Sequence, residues 1–115
     1  MSAKAVQTRR ASVASVKSGG KDLEICLRLY VASWTPNSQR AEANLDAALR
    51  KFTDSTVYRV EIIDVLADGK RAVTDSVIVT PTLVALGPKR RLVMVGDLSD
   101  PGKLRGLLEA VASLG

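Results

Sequence analysis

The residue types that carry out most enzymatic chemistry are scarce in this sequence. It contains no histidine and a single cysteine, Cys26. The absence of histidine removes the most common general base and metal ligand, and every Ser/His or Cys/His nucleophile arrangement. Cys26 has no second cysteine to pair with, and it falls within a predicted strand, away from any helix start that would activate a thiol. We therefore expect no catalytic residue, no metal and no cofactor.

The turn that follows this strand has the layout of a redox turn without its sulfur atoms. Trp34 is followed by Thr35, Pro36, Asn37 and Ser38. Thioredoxin-like proteins carry a Trp-Cys-x-x-Cys pair at such a turn, and no sulfur stands there in this chain. Thr35 can cap a helix through its hydroxyl, and Pro36 suits the first helical turn. The residues alone therefore leave two interpretations open, a partner-binding corner or a plain helix start.

The elements that must position this turn follow from hydrophobic periodicity. The pattern predicts strands at Leu23–Val31, Thr56–Val65, Leu83–Leu86 and Arg91–Val95, and helices at Pro36–Phe52 and from Pro101 onward. Leu66–Val79 fits either a short helix or a strand. The second strand is apolar on both faces, which predicts an interior strand parallel to the first. The order β-α-β-(α)-β-β-α predicts an α/β protein whose helices lie against the sheet.

The net charge of +5 belongs to the N-terminal residues. Residues 1–21 contain five basic and no acidic side chains, whereas the rest of the 115-residue chain contains 12 of each. We predict a flexible basic extension at 1–21 and one domain at 22–115, whose 46% of hydrophobic residues is typical of a globular fold. The extension is neither a signal peptide nor a membrane span, and the single cysteine fits a reducing cytosol, so a cytoplasmic location is expected.

Four stretches of the chain occur in a known family in the same order and at similar spacing: LRLYVASWTPNSQRA, VYRVEIIDVL, TPTLVAL and VGDLS. Over about residues 23–110 the chain thus resembles the KaiB family of bacterial clock-associated proteins; the basic extension lies outside the resemblance. The resemblance implies a thioredoxin-like domain without catalytic activity. It also implies a KaiC ATPase ring as the partner, whose N-terminal domain the thioredoxin-like form caps. In the cyanobacterial oscillator the bound form captures KaiA and displaces a histidine kinase with a similar sensor domain.

One group of residues is a candidate for partner binding: Tyr30, Trp34, Thr35, Pro36, Asn37, Ser38 and Arg40. Arg40 aligns with a basic family residue implicated at the ring interface, and arginine is enriched in interface hot spots, although an exposed arginine is also often just solvated. An exposed Trp34 would be unfavourable unless a partner covers it. Tyr30 lies on the strand face opposite the leucine stripe, where it could instead pack under a helix.

The resemblance also implies that some members reach a second fold, in which the C-terminal half re-pairs and dimers or tetramers form. Thr80-Pro81-Thr82 matches the cis-proline position of thioredoxin-like folds, so Pro81 and Pro88 are candidates for a cis-proline or fold-switch role. Two departures from the cyanobacterial pattern favour the thioredoxin-like state: the turn near Pro88 has lost its other prolines, and the last helix is rich in helix formers. Both departures weaken the case for KaiA binding. We expect a homologue outside the core oscillator, acting with a KaiC-like protein in a clock, timing or stress-response system.

Three other functions are consistent with parts of the sequence. A thioredoxin-like redox or thiol protein would have to use Cys26. A sensor-type interaction domain related to a histidine-kinase input domain would share the fold, but we expect no kinase region, because the sequence ends at Gly115. The basic extension could attract nucleic acid or an anionic membrane, but we expect neither to be a main partner, because a solvated basic tail is common.

Overall fold

The computed structural model describes residues 6–10, 24–32, 34–51 and 57–113. Its elements are β1 (Val6–Arg10), β2 (Glu24–Val31), α1 (Pro36–Arg50), β3 (Val57–Asp64), α2 (Gly69–Thr74), β4 (Thr82–Leu86), β5 (Arg91–Val95) and α3 (Pro101–Ala112). The predicted α/β order is confirmed from β2 to α3, and the ambiguous segment Leu66–Val79 contains a short helix. The predicted end of the first helix at Phe52 lies outside the described residues.

One mixed sheet organises the molecule, with the strand order β1-β3-β2-β4-β5. The central strand β2 runs parallel to β3 and antiparallel to β4, as in the pairs Leu27–Val60 and Leu27–Ala85. The parallel pairing of the two long strands agrees with the prediction from the helical crossover that joins them. β5 pairs antiparallel with β4 and ends the sheet on that side. The carboxyl end of β2, which leads into α1, therefore lies near the start of β4.

The N-terminal residues differ from the sequence expectation. The charge pattern placed residues 1–21 in an extension outside the domain, but Val6–Arg10 forms an antiparallel strand along β3, with Val6 opposite Ile63 and Arg10 opposite Arg59. Strand addition at a sheet edge uses backbone donors and acceptors, so it does not need the apolar alternation by which strands are recognised in a sequence. The periodicity therefore gave no sign of β1.

The main core lies between one face of the sheet and the helices α1 and α3. Its buried members alternate along β2 and recur at helical spacing on both helices: Ile25, Leu27, Leu29, Val31, Ala41, Leu45, Leu49, Leu104, Leu108 and Val111. Each fully buried leucine or isoleucine contributes about 1.5–3 kcal/mol relative to exposure. A smaller cluster on the opposite face consists of Tyr30, Ile63, Ala72 and Val84, and α2 covers it.

Both long helices begin as the sequence predicts. Thr35 caps α1 and Pro36 occupies its first turn. Asp100 caps α3 by accepting hydrogen bonds from the backbone N–H groups of Gly102 and Lys103, each at 3.1 Å. Within the described ranges, no helix has the length and apolar character needed to cross a membrane.

Candidate functional site

The turn between β2 and α1 is held by a small set of hydrogen bonds. The Thr35 hydroxyl donates to the carbonyl oxygen of Ala32 at 2.8 Å and accepts from the backbone N–H of Ser38 at 3.3 Å. Ser38 is only 1% exposed, and its Oγ accepts the backbone N–H of Ala32 at 3.0 Å. Thr35 and Ser38, which were candidates for partner contact, therefore shape the turn, and Ser38 does not reach the surface.

The exposed residues of this turn form one surface, which we call the corner and define as Trp34, Pro36, Asn37 and Arg40. Trp34 is 69% exposed, and the other three are also exposed. The Arg40 guanidinium contacts the side-chain oxygen of Asn37 and donates from Nε to Asp97 at 3.2 Å. The corner thus combines a large apolar side chain with a cation whose position is fixed by two neighbours.

Asp97 joins the corner to the start of α3. Its carboxylate accepts from Arg40 and, at 3.1 Å, from the backbone N–H of Ser99, while its carbonyl oxygen accepts from the side chain of Asn44 at 2.8 Å. A hydrogen bond from the Ser99 side chain, followed by that from Arg40, lowers the pKa of Asp97. Asp97 is therefore a turn residue that is ionised at neutral pH.

Tyr30 is not part of any exposed surface, so its assignment as a partner contact is corrected. The side chain is fully buried under α2, and its hydroxyl lies 2.5 Å from Oδ2 of Asp75 and 3.1 Å from the carbonyl oxygen of Arg71. Burial, followed by the hydrogen bond with Asp75, raises the pKa of Tyr30 to about 12. The alternative interpretation, a tyrosine packed beneath a helix, is the one that the structure supports.

Sequence reasoning missed the charged cluster that surrounds this tyrosine. Arg28 on β2 lies 3.0 Å from Oδ2 of Asp75, and Arg71 on α2 binds both carboxylate oxygens of Glu61 at 2.8 and 3.1 Å. The hydrogen bond from Arg71 lowers the pKa of Glu61 despite its partial burial. Burial opposes ionisation of Asp75, but the hydrogen bonds from Tyr30 and Arg28 outweigh it and lower its pKa. These pairs fasten α2 to the sheet.

The two candidate prolines occupy different settings. The peptide bond between Thr80 and Pro81 is cis, as the resemblance implied for this position, and the carbonyl oxygen of Pro81 accepts the backbone N–H of Gly96 at 2.9 Å. Pro88 lies exposed in the turn between β4 and β5. A fold-switch role for either proline stays a prediction.

No part of this arrangement resembles a catalytic or metal centre. Cys26 is a half-buried free thiol in the middle of β2, where Arg59 and Leu86 lie beside it on the neighbouring strands. Within the part of the chain that the structure describes, no three His, Cys, Asp or Glu residues are grouped so that they could hold a metal ion.

Comparison of the sequence with known proteins decides the family. The KaiB domain matches residues 28–110, from the middle of β2 almost to the end of α3. The chain belongs to the KaiB family. This KaiB homologue is 41% identical to the circadian clock oscillator protein KaiB of Cyanothece sp. over 78 residues, which cover 68% of this chain and 73% of that protein. The same figures describe its similarity to the circadian clock oscillator protein KaiB1 of Synechocystis sp..

Membership settles the general class of function. KaiB proteins are non-enzymatic clock proteins, so this homologue is a regulatory protein of the clock type and not an enzyme.

Solved structures agree on the fold. The N-terminal domain of SasA from Synechococcus elongatus superposes with a TM-score of 0.68 at 22% identity, covering 87% of this chain and 95% of that one. A mutant thioredoxin from Halobacterium salinarum superposes with a TM-score of 0.63 at 24% identity, covering 79% and 77% of the two chains. At these identities the similarity establishes the thioredoxin-like fold alone.

Proposed function

We propose that this KaiB homologue binds a KaiC-type ATPase ring through the corner, and that binding regulates the ring in a clock, timing or stress-response system. The observation that carries the proposal is the 69% exposure of Trp34. An indole in water leaves a large apolar surface uncovered, and tryptophan and arginine are the residue types that most often dominate the binding energy of protein interfaces. Trp34, in the turn, and Arg40, in the first turns of α1, supply one of each.

The rigidity of the corner adds support. Thr35 and Ser38 fix the backbone of the turn from within, and Asp97 holds the Arg40 guanidinium from the side. A surface that is ordered before binding loses less conformational entropy when a partner docks. The corner can therefore bind without refolding locally.

The direct test mixes the purified chain with the KaiC-type ATPase of the same organism and ATP, and measures the mass of the complex. Trp34→Ala should weaken the complex by about tenfold or more, because loss of a hot-spot side chain costs about 2 kcal/mol or more. Val93→Ala, which shortens another exposed apolar side chain on β5, is the matched control and should leave binding unchanged. Failure to form any complex would contradict the function, whereas a complex that ignores Trp34→Ala would contradict only the corner.

Arg40 provides a second comparison on one helix. Arg40→Ala should weaken the complex, whereas Arg50→Ala should not, because the Arg50 side chain is exposed, lies outside the corner and pairs with Asp46 one turn away. The wider partner set belongs to the same proposal: a KaiA-like protein, a histidine kinase, and self-association into a dimer or tetramer in the cytoplasm.

A further inference from the structure

A half-open groove lies between α1 and α3, on the helical side of the molecule. Its volume is about 430 Å³. None of the four corner residues lines it. The lining residues are Asn44, Ala47, Ala48, Lys51, Leu98, Ser99, Pro101, Gly102, Leu104 and Arg105. Apolar side chains from both helices and from the loop before α3 thus form a continuous part of its wall.

The charged residues that line the groove are both basic. Among the lining residues that the structure describes, Lys51 on the α1 side and Arg105 on α3 are the charged ones. The Asp100 carboxylate lies beside Gly102 at its edge, where it accepts the backbone N–H groups of Gly102 and Lys103. Arg105 pairs with Glu109 one helical turn away, an exposed pair that is worth little and can be exchanged for another carboxylate. The acidic side chains of Asp46 and Asp97 are engaged elsewhere, with Arg50 and Arg40. The groove therefore presents an apolar wall between two cations.

Small residues keep the mouth of the groove open. Ala47 is exposed on α1, and Gly102 lies in the first turn of α3. A methyl group on Gly102 would meet nothing closer than the Asp100 carboxylate at 3.5 Å, so packing within the described structure does not require glycine there. Glycine has poor helix propensity, yet it stands in α3 at a point where its missing side chain leaves room for the backbone of a bound helix.

We propose that this groove binds an amphipathic, acidic helix of a partner protein. Its apolar side chains would enter the groove between α1 and α3, and its carboxylates would lie over Lys51 and Arg105. Binding of an amphipathic helix in an apolar groove is a recurring mode of recognition. The two cations favour a helix that carries negative charge. Because the groove shares no lining residue with the corner, this site does not depend on the proposed function.

The test uses the full chain and two synthetic helical peptides of about 15 residues, the length near which isolated helices become stable in water. Both carry the same leucine stripe, but one has glutamate and the other lysine on its polar face. The acidic peptide should bind, and the amide shifts it perturbs should map to the groove. The basic peptide should bind at least about tenfold more weakly, a difference of 1.4 kcal/mol.

Matched variants on α1 locate the site. Ala47→Glu places a bulky anion in the groove and should weaken binding of the acidic peptide by about tenfold or more. Ala43→Glu adds the same charge on the same exposed helix one turn earlier, outside the groove, and should have little effect. The double change Lys51→Glu with Arg105→Glu should reverse the preference between the two peptides.

Three results would overturn the proposal. The first is equal binding of the acidic and basic peptides. The second is an equal loss of affinity for the acidic peptide in Ala43→Glu and Ala47→Glu, when circular dichroism shows that both variants are folded. The third is perturbation of the groove amides by the small anionic amphiphile decanoate but by neither peptide, which would assign the groove to a small ligand instead.

Discussion

Gly87 lies so close to the last turn of α3 that a methyl group on its Cα would stand 1.9 Å from the carbonyl oxygen of Val111. The turn between β4 and β5 therefore supports the C-terminal end of α3 directly. Gly87→Ala should force the helix away from the sheet and lower the free energy of unfolding by about 1–3 kcal/mol, the usual cost of overpacking. Urea unfolding followed by circular dichroism measures this loss.

Gly106 provides the matched comparison on the same helix. Nothing lies within 4 Å of a methyl group at that position. Gly106→Ala should therefore stabilise the protein by about 0.8–1.0 kcal/mol through helix propensity alone. Equal stability of the Gly87→Ala variant and the unmodified protein would show that α3 does not rest on this turn as described.

The contacts that attach α2 to the sheet predict how the stability of the protein changes at acidic pH. Asp75→Ala should cost about 2–3 kcal/mol at neutral pH, because it leaves Arg28 and the Tyr30 hydroxyl without their carboxylate. The pKa of Asp75 is lowered on folding below its ordinary 3.8, so its contribution is present above that value and is lost as pH falls through the folded pKa. The stability gap between the unmodified protein and the variant should therefore narrow below about pH 4.

Urea midpoints between pH 2.5 and 7 measure this gap. Asp46→Ala is the control, because Asp46 forms an exposed ion pair with Arg50, which contributes at most about 1 kcal/mol. A gap for Asp75→Ala that stays constant through the acidic range would contradict the assigned ion pair.

In the same cluster, the contribution of Tyr30 to stability should be lost as the pH rises, whereas that of Asp75 is lost as the pH falls. The pKa of Tyr30 is raised from 10.0 to about 12 in the folded protein, so its contribution is complete below pH 10 and is lost as pH rises through 12. Tyr30→Phe should be less stable than the unmodified protein at pH 8, and the difference should shrink between pH 10 and 12. Absorbance titration of the phenol checks the pKa itself, and a normal titration near 10 would count against the buried contact with Asp75.

A structural feature could be predicted from the sequence where the residues that form it lie close together in the chain. The leucine alternation of β2 and the Thr35-Pro36 helix start are local patterns, and both are found where expected. The pairing of Arg28 with Asp75 joins residues 47 positions apart and requires that α2 be docked first. At six residues, α2 is too short to display a helical period, so the sequence could not show that Tyr30 would be covered.

In the candidate site, the sequence predicted the residues that share the exposed surface but not the contacts that hold them in place. The sequence indicated that Trp34, Asn37 and Arg40 follow a strand and begin a helix, which suffices to place them on one surface. It could not indicate that Ser38 turns inward, because that depends on the bond from the backbone N–H of Ala32 to its hydroxyl oxygen. Asp97, which holds Arg40, comes from a loop 57 residues away, so no local pattern in the sequence indicates this contact.

Thiol chemistry is expected to play no part in the function. Cys26→Ser should leave binding to a KaiC-type ATPase unchanged, and the unmodified protein should not accelerate the reduction of insulin disulfides by dithiothreitol. The physical reason is that the thiol is half-buried in mid-strand, whereas the turn before α1 carries no cysteine. Thioredoxin serves as the positive control. Catalysed reduction that disappears in Cys26→Ser would restore the redox alternative.

The last prediction concerns which of two folds the free protein populates. α3 begins at the Asp100 cap, which satisfies two backbone N–H groups, and its buried face of Leu104, Leu108 and Val111 packs into the main core. These contacts outweigh the poor helix propensity of Gly102 and Gly106, since each buried aliphatic side chain contributes about 1.5–3 kcal/mol and each glycine costs about 1 kcal/mol. Backbone chemical shifts for residues 100–113 should therefore be helical in the free protein. Strand shifts there would show that the C-terminal half has re-paired and would contradict this prediction.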